Sequence, residues 1–286
     1  MLHTTSLRSF GLAALAGGLL LLSACDKNND PQSAADVAVS AEDQSLAEDE
    51  NATVSDLIEA AAPADATVTG SPAAEAADLR GVAGSCLTRT YDAATRTLIL
   101  DFGTTNCVGP NGVARRGKIV AVFTGAPRQA GSKVVVTLVN YYRNDNLHAG
   151  TRTITHLGNG SWTLDVQNAS VTTTAGTHSW TSQRTYTRTA GQGTRTILDD
   201  EYSVTGQASG TNRRGVSYTA TIQQPLIKKF QAGCARTFVA GTVKILNSKE
   251  KEMLLNYDPS GTQACDNLAT ITVNGQTRTI KVGQRL

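Results

Sequence analysis

The chain is predicted to be all-β, an antiparallel β-sandwich or a long curved β-meander, preceded by a signal peptide and a disordered linker. Three observations predict it. Thr occurs 38 times and Gly 26 times in 286 residues, while charged residues make up only 17%. That composition suits strands and hairpins and argues against a helical bundle. Period-2 alternation dominates after residue 81. Clusters of Gly, Asn, Asp and Pro separate the alternating runs at the spacing of sandwiches and barrels.

The N-terminus reads as an address. Arg8 supplies the positive charge, and Gly11–Leu22 is an apolar stretch of 12 residues, the length of a signal-peptide core. No run of 18 apolar residues exists, so no helix of this sequence is expected to span a bilayer. Residues 1–24 are therefore assigned as signal peptide. The stretch ends in Leu22-Ser23-Ala24-Cys25, which resembles a bacterial lipobox. The resemblance implies that Cys25 becomes the first mature residue and carries a thioether-linked diacylglycerol and an N-acyl chain. Several acyl chains hold a protein at a membrane where a single one is marginal. The polar Asp26-Lys27-Asn28-Asn29-Asp30 that follows is similar to uncharacterised envelope lipoproteins of Bacteroidota type. The resemblance implies a lipid-anchored protein of the cell envelope, with the outer membrane preferred.

Residues 25–80 read as an acidic, Ala-rich tether. From Asp26 to Arg80 there are 13 acids against Lys27 and Arg80, a net charge of −11, and no aromatic. Such a segment buries too little apolar surface to offset its ordering entropy, so disorder is expected. Within it, Ser55–Ala62 has the composition of one or two helical turns, stopped by Pro63. Residues 81–286 form the all-β domain, with 23 basic and 11 acidic residues, net +12. Three readings of this asymmetry stay open. The domain attracts an anionic glycan or lipopolysaccharide; its Arg and Lys decorate solvent faces of strands; or the tether folds back and masks the domain. No specific nucleic-acid site is read.

Individual strands follow from parity. Trp162, Leu164 and Val166 share one face, as do Val216, Tyr218, Ala220 and Ile222, and Ile280 with Val282. Ile119–Phe123 and Val134–Val139 are apolar on both parities, which predicts the centre of the core. Pro110-Asn111-Gly112, Asn144-Asp145-Asn146, Gly158-Asn159-Gly160 and Gly191-Gln192-Gly193 are turn-grade. Asn274-Gly275 between two alternating runs is a strong hairpin signal. Thr-Arg-Thr recurs six times, at Thr88, Thr95, Thr151, Thr187, Thr194 and Thr277. In a strand it points both threonines to one face and the arginine to the other, and it reads as repeated solvent-face composition.

A faint duplication relates Leu98–Gly103, followed by Cys107, to Leu254–Asp258, followed by Cys265; Cys86 and Cys234 precede the two units. With Cys25 lipidated, four cysteines remain, an even count suited to disulfides in an exported domain. Of three connectivities, the duplication favours Cys86–Cys107 and Cys234–Cys265. No pair has the short spacing of a structural zinc site.

Catalytic signatures are missing: no nucleophile elbow, P-loop, dinucleotide fingerprint or zinc-protease helix occurs. No cofactor or metal is assigned. His148, His156 and His178 have no acid nearby in sequence, and Asp199-Asp200-Glu201 is read as a solvated turn. The one candidate ligand surface is a stripe of common parity through His178, Trp180, Ser182, Arg184, Tyr186 and Arg188. There Trp180, Arg184, Tyr186 and Arg188 would stack on sugars or hold anions; equally, Trp180 and Tyr186 face the core while the arginine stems pack over sheet edges. The sequence therefore points to a non-catalytic structural or binding module. A carrier of lipid or other apolar molecules in a curved sheet is the alternative, and a glycan-active enzyme the third reading.

Overall fold

The structure, a computed structural model, describes residues 31–63, 72–109, 112–194, 196–230 and 238–282. The expected signal peptide, Cys25 and Cys234 lie outside the described residues. Two helices lead, α1 over Pro31–Ala61 and α2 over Pro72–Ala83. The strands follow in the order β1 (Thr88–Asp92), β2 (Thr97–Asp101), β3 (Cys107–Val108), β4 (Ala114–Phe123), β5 (Lys133–Arg143), β6 (Asn146–Gly158) and β7 (Ser161–Thr173). Then come β8 (Gly176–Ala190), β9 (Glu201–Thr211), β10 (Ser217–Lys229), β11 (Phe238–Asn247), β12 (Glu252–Asn256), β13 (Leu268–Val273) and β14 (Gln276–Lys281).

All 14 strands belong to one antiparallel sheet, so of the two predicted architectures the chain adopts the meander. Each strand pairs with the next in sequence, except that β3 pairs with β4 beside the main path. Three of the hairpin turns fall where the sequence marks them, and the marked Pro110-Asn111 lies outside the described residues. Asn144-Asp145, Asn159-Gly160 and Asn274-Gly275 all have positive φ at both residues, the two-residue geometry whose twist matches the flanking strands. Bulges bend the sheet. At Gly117 (φ +87°) the β4–β5 register shifts, and a Cβ there would lie 1.9 Å from the Asn140 carbonyl oxygen. At Gly150 (φ +110°) the β6–β7 register shifts, and a Cβ would lie 2.5 Å from the Ala169 Cα. Only glycine fits these crossings, and each sharpens the local twist.

The curvature has a clear measure. Laid flat at ~4.8 Å per strand, the path from β1 to β14 would be about 58 Å wide. Yet both edges touch the same helix. Arg89 Nε on β1 donates to the Ala61 carbonyl at 2.7 Å, and Arg278 Nη2 on β14 donates to Glu42 at 2.8 Å. The sheet is therefore coiled around α1. Among the described residues β1 and β14 form no ladder with each other, so the wrap is open.

Helix α1 corrects the expectation of disorder over residues 31–61. From Ala38 to Ala62 its side chains are buried except for the half-buried Glu42, Leu46 and Thr53. Composition rules for disorder assume that a segment must find its own core; here the rest of the chain supplies one. Val54, Leu57 and Ile58 are fully buried, each contributing on the order of 1.5–3 kcal/mol. Alanine, the best helix former, recurs along the helix and lets strands approach closely. The helical turns expected over Ser55–Ala62 and the stop at Pro63 are kept, with Ala62 N–H making the final bond to Ile58. Helix α2, also inside the stretch read as tether, is fixed by Asp78, which accepts from Thr196 Oγ1 (2.7 Å) and Ile197 N–H (2.9 Å).

A second correction concerns the two runs read as doubly buried. Ile119, Ala121, Phe123, Val134 and Val136 face α1, but Val122, Val135 and Val139 are exposed. Among the described residues the sheet is a single layer, and no second layer covers these valines on its outer face.

Candidate functional site

The inner face of the sheet is where the chain concentrates its chemistry. It carries an aromatic wall in which Trp162 stacks on Tyr186 (centroids 5.0 Å apart) and meets Tyr202 edge-on at 4.7 Å. His178 stacks on Trp180 at 4.8 Å, and its Nε2 lies 2.8 Å from the Tyr218 hydroxyl. Between the aromatics stand cations, several of which meet carboxylates of α1.

Arg184 on β8 and Glu48 on α1 form a forked pair in which both side chains are 0% exposed. Arg184 Nε donates to both Glu48 oxygens at 3.1 Å, and Nη2 donates to Oε1. Burial opposes the Arg184 charge, but Glu48 outweighs it and holds the guanidinium pKa above its ordinary value. Nearby on the helix, Glu50 is met from two strands. His148 Nδ1 lies 3.1 Å from it, Arg152 Nη2 3.5 Å and Arg143 Nη1 3.6 Å. Burial pushes the Glu50 carboxyl up, and these three groups pull it far below the usual carboxylate range. Arg152, fully enclosed, has its own pKa lowered by burial.

Further along, Asp56 pairs with Lys228 on β10 at 2.7 Å, and the ammonium sits over the rings of Phe230 (4.1 Å) and Tyr202 (4.9 Å). One cation does not offset the burial, and Glu59 and Asp200 add repulsion, so the Asp56 pKa is raised to about 6. Glu59 meets Arg128 at 3.3 Å and His156 at 3.6 Å. At the other end Asp43 and Glu42 both bind Arg213 in the β9–β10 turn.

The predicted site residues fall into place around this seam. The stripe on β8 is real as a stripe, but it faces inward. Trp180, Arg184 and Tyr186 are buried against α1, and Arg188 pairs with Asp200. What the stripe holds is the chain's own helix. The arginines divide between the two faces: Arg115, Arg152 and Arg184 are buried, while Arg89, Arg96, Arg214 and Arg278 stay exposed. In the Thr-Arg-Thr units Arg152 reaches α1 from the interior, and exposed Arg89 and Arg278 reach it from the two sheet edges. His148 and His156 do share a face of β6, with acids delivered from about a hundred residues away. The Asp199-Asp200-Glu201 cluster is divided among separate partners: Thr194, then Arg188 with Tyr202, then Lys229. Among the described residues no group of three or more metal-ligating side chains converges.

Cys86 and Cys107 are joined, with Cα atoms 5.7 Å apart, as the duplication predicts. Cys265 is also disulfide-bonded. Its expected partner Cys234, like the lipidation candidate Cys25, lies outside the described residues. Sequence reasoning missed Glu48, Glu50, Asp56 and Glu59 as the helix's contribution. The signal that finds them is the opposition of a −11 segment and a +12 domain in one chain, read as an internal pairing. No described helix is long and apolar enough to cross a membrane. Comparison with family models, with curated proteins and with solved structures finds no match for this chain.

Proposed function

We propose that the protein is a lipid-anchored component of the bacterial cell envelope, preferentially the outer membrane, whose β-domain is a non-catalytic structural and binding module. The observation that carries this reading is α1 itself. It occupies the concave face of the sheet where a carrier would hold its cargo, and its buried carboxylates Glu48, Glu50, Asp56 and Glu59 all have cationic partners. With α1 filling the concave face and those carboxylates paired, the outer face is left as the working surface. The basic strands have their anionic partner within the chain, so attraction to lipopolysaccharide is not needed to explain them.

The anchor rests on the lipobox resemblance at Cys25. Five residues separate Cys25 from Pro31, a covalent reach of at most about 22 Å. A lipid on Cys25 would thus hold the start of α1 at the bilayer surface, with no long leash between them. Metabolic labelling with a fatty-acid analogue tests this: the wild-type chain is expected to take up label and sediment with membranes. A Cys25→Ala protein that still incorporates label would sink the assignment.

A further inference from the structure

We infer that the outer face of β7–β10 is a binding site for a neutral glycan. Two adjoining concavities, of about 680 and 360 Å³, open on this face and share Thr181, Ser209 and Thr219. Most of the side chains that face out here are hydroxyls or amides set in register. Ser170, Ser179, Thr211 and Ser217 form one row across four strands. Thr181, Ser209 and Thr219 form the next, and Gln183, Gln207 and Thr221 the third. Strand geometry spaces such a grid at ~4.8 Å across strands and ~7 Å along them.

Three features distinguish this patch from an ordinary wet sheet face. It is concave. Its lining contains no acidic, basic or histidine side chain, in a chain whose interior is crowded with ion pairs. Its hydroxyls are held in line by one another, Thr181 to Ser209 at 3.1 Å and Thr211 to Ser217 at 3.4 Å. Each still has capacity, since a hydroxyl offers one donor and two acceptor positions.

The chemistry selects the ligand. A phosphate or carboxylate polymer would lose its hydration here without meeting a countercharge. An apolar chain would leave the hydroxyl grid unpaired. A neutral polyhydroxylated molecule pairs its hydroxyls with the grid and lays its C–H faces on the apolar part of the lining, which includes exposed Leu246, and short side chains on rigid strands lose little entropy in holding it. This ligand class rests on the reading of the domain as a binding module and is independent of the anchor.

The test uses the detergent-solubilised full-length protein on an array of neutral and acidic glycans, in 0.05 and 0.5 M salt. Retention on neutral glycans is expected, equal at the two salt concentrations. It should fall at least tenfold in Thr181→Val/Thr219→Val and in Ser209→Arg. The same chemistry removed elsewhere, in Thr272→Val/Thr279→Val, should leave it unchanged. Matching thermal midpoints exclude misfolding. The proposal is overturned by no retention on neutral glycans, by retention confined to acidic glycans and weakened by salt, or by groove variants that bind like wild type. Fatty-acid labelling of Cys25 in the same preparations keeps the outcomes separate: labelled protein without glycan retention removes this ligand class and leaves the anchored module standing.

Discussion

Along β8, Trp180, Arg184 and Tyr186 point at α1 and are buried, while Ser179, Thr181 and Gln183 between them face outward. The two faces of this one sheet differ in kind. The inner face combines aromatics, aliphatics and cations and is completed by an acidic helix. The outer face is mostly Thr, Ser and Gln, with exposed valines on β4 and β5. The inner face is costly to disturb because its charges have left water together. A buried pair is weak evidence of net stability, but removing one partner strands the other in a low-dielectric site. Outer-face groups keep water as an alternative partner, so their loss is compensated.

The sharpest way to break this contrast is at Glu48. Glu48→Leu leaves Arg184 buried and unpaired and is expected to destabilise the protein by about 3–5 kcal/mol in urea denaturation. The double variant Glu48→Met/Arg184→Met should recover most of that loss. If the single change is silent, the inner face does not depend on α1. Next in size, Leu57→Ala, at a fully buried position of α1, should cost about 2–5 kcal/mol, measured the same way.

A pH series separates the two directions of titration inside the seam. Burial, reinforced by Arg213, depresses the His178 pKa to about 3, against an ordinary 6.5. Above pH 6.5 neither state is charged. Below it only the unfolded chain takes the proton, so stability falls by up to about 1.4 kcal/mol per pH unit. Asp56 acts oppositely. Its folded pKa of about 6 exceeds its ordinary 3.8, so the folded state binds the proton first and this group's contribution rises as pH falls between those values. Urea midpoints from pH 7.5 to 4.5 should therefore show a shallower acid loss in His178→Phe and a steeper one in Asp56→Asn. Identical slopes in all three proteins would remove the assignment.

The smallest effect belongs outside. Thr272 and Thr277 share only an exposed hydroxyl contact of 2.8 Å, and Thr272→Ala should move stability by no more than about 0.5 kcal/mol. A larger loss would show that the outer hydroxyls act as a structural lattice.

Much of this contrast is legible from parity. Trp162, Leu164 and Val166 are buried as their alternation predicts, and Asn274-Gly275 turns where it should. The Cys86–Cys107 bond follows from a local duplication. The β8 stripe is legible as one face, with a ligand surface and a core-facing stripe both open; Trp180 and Tyr186 take the second reading, but nothing in the local sequence says that Arg184 is buried with them, because its carboxylate lies elsewhere in the chain. Glu48 and Arg184 are 136 residues apart, beyond any local pattern.

The sequence by itself determined the strands, the turns, the cysteine pairing at the first edge and the segregation of charge, since each depends on short-range geometry or simple composition. Only the tertiary structure decided that the sheet coils instead of stacking into a sandwich. It alone made residues 31–61 a helix, because an acidic, alanine-rich segment orders only when a coiled basic face surrounds it, neutralises its carboxylates and covers its few apolar side chains at the same time.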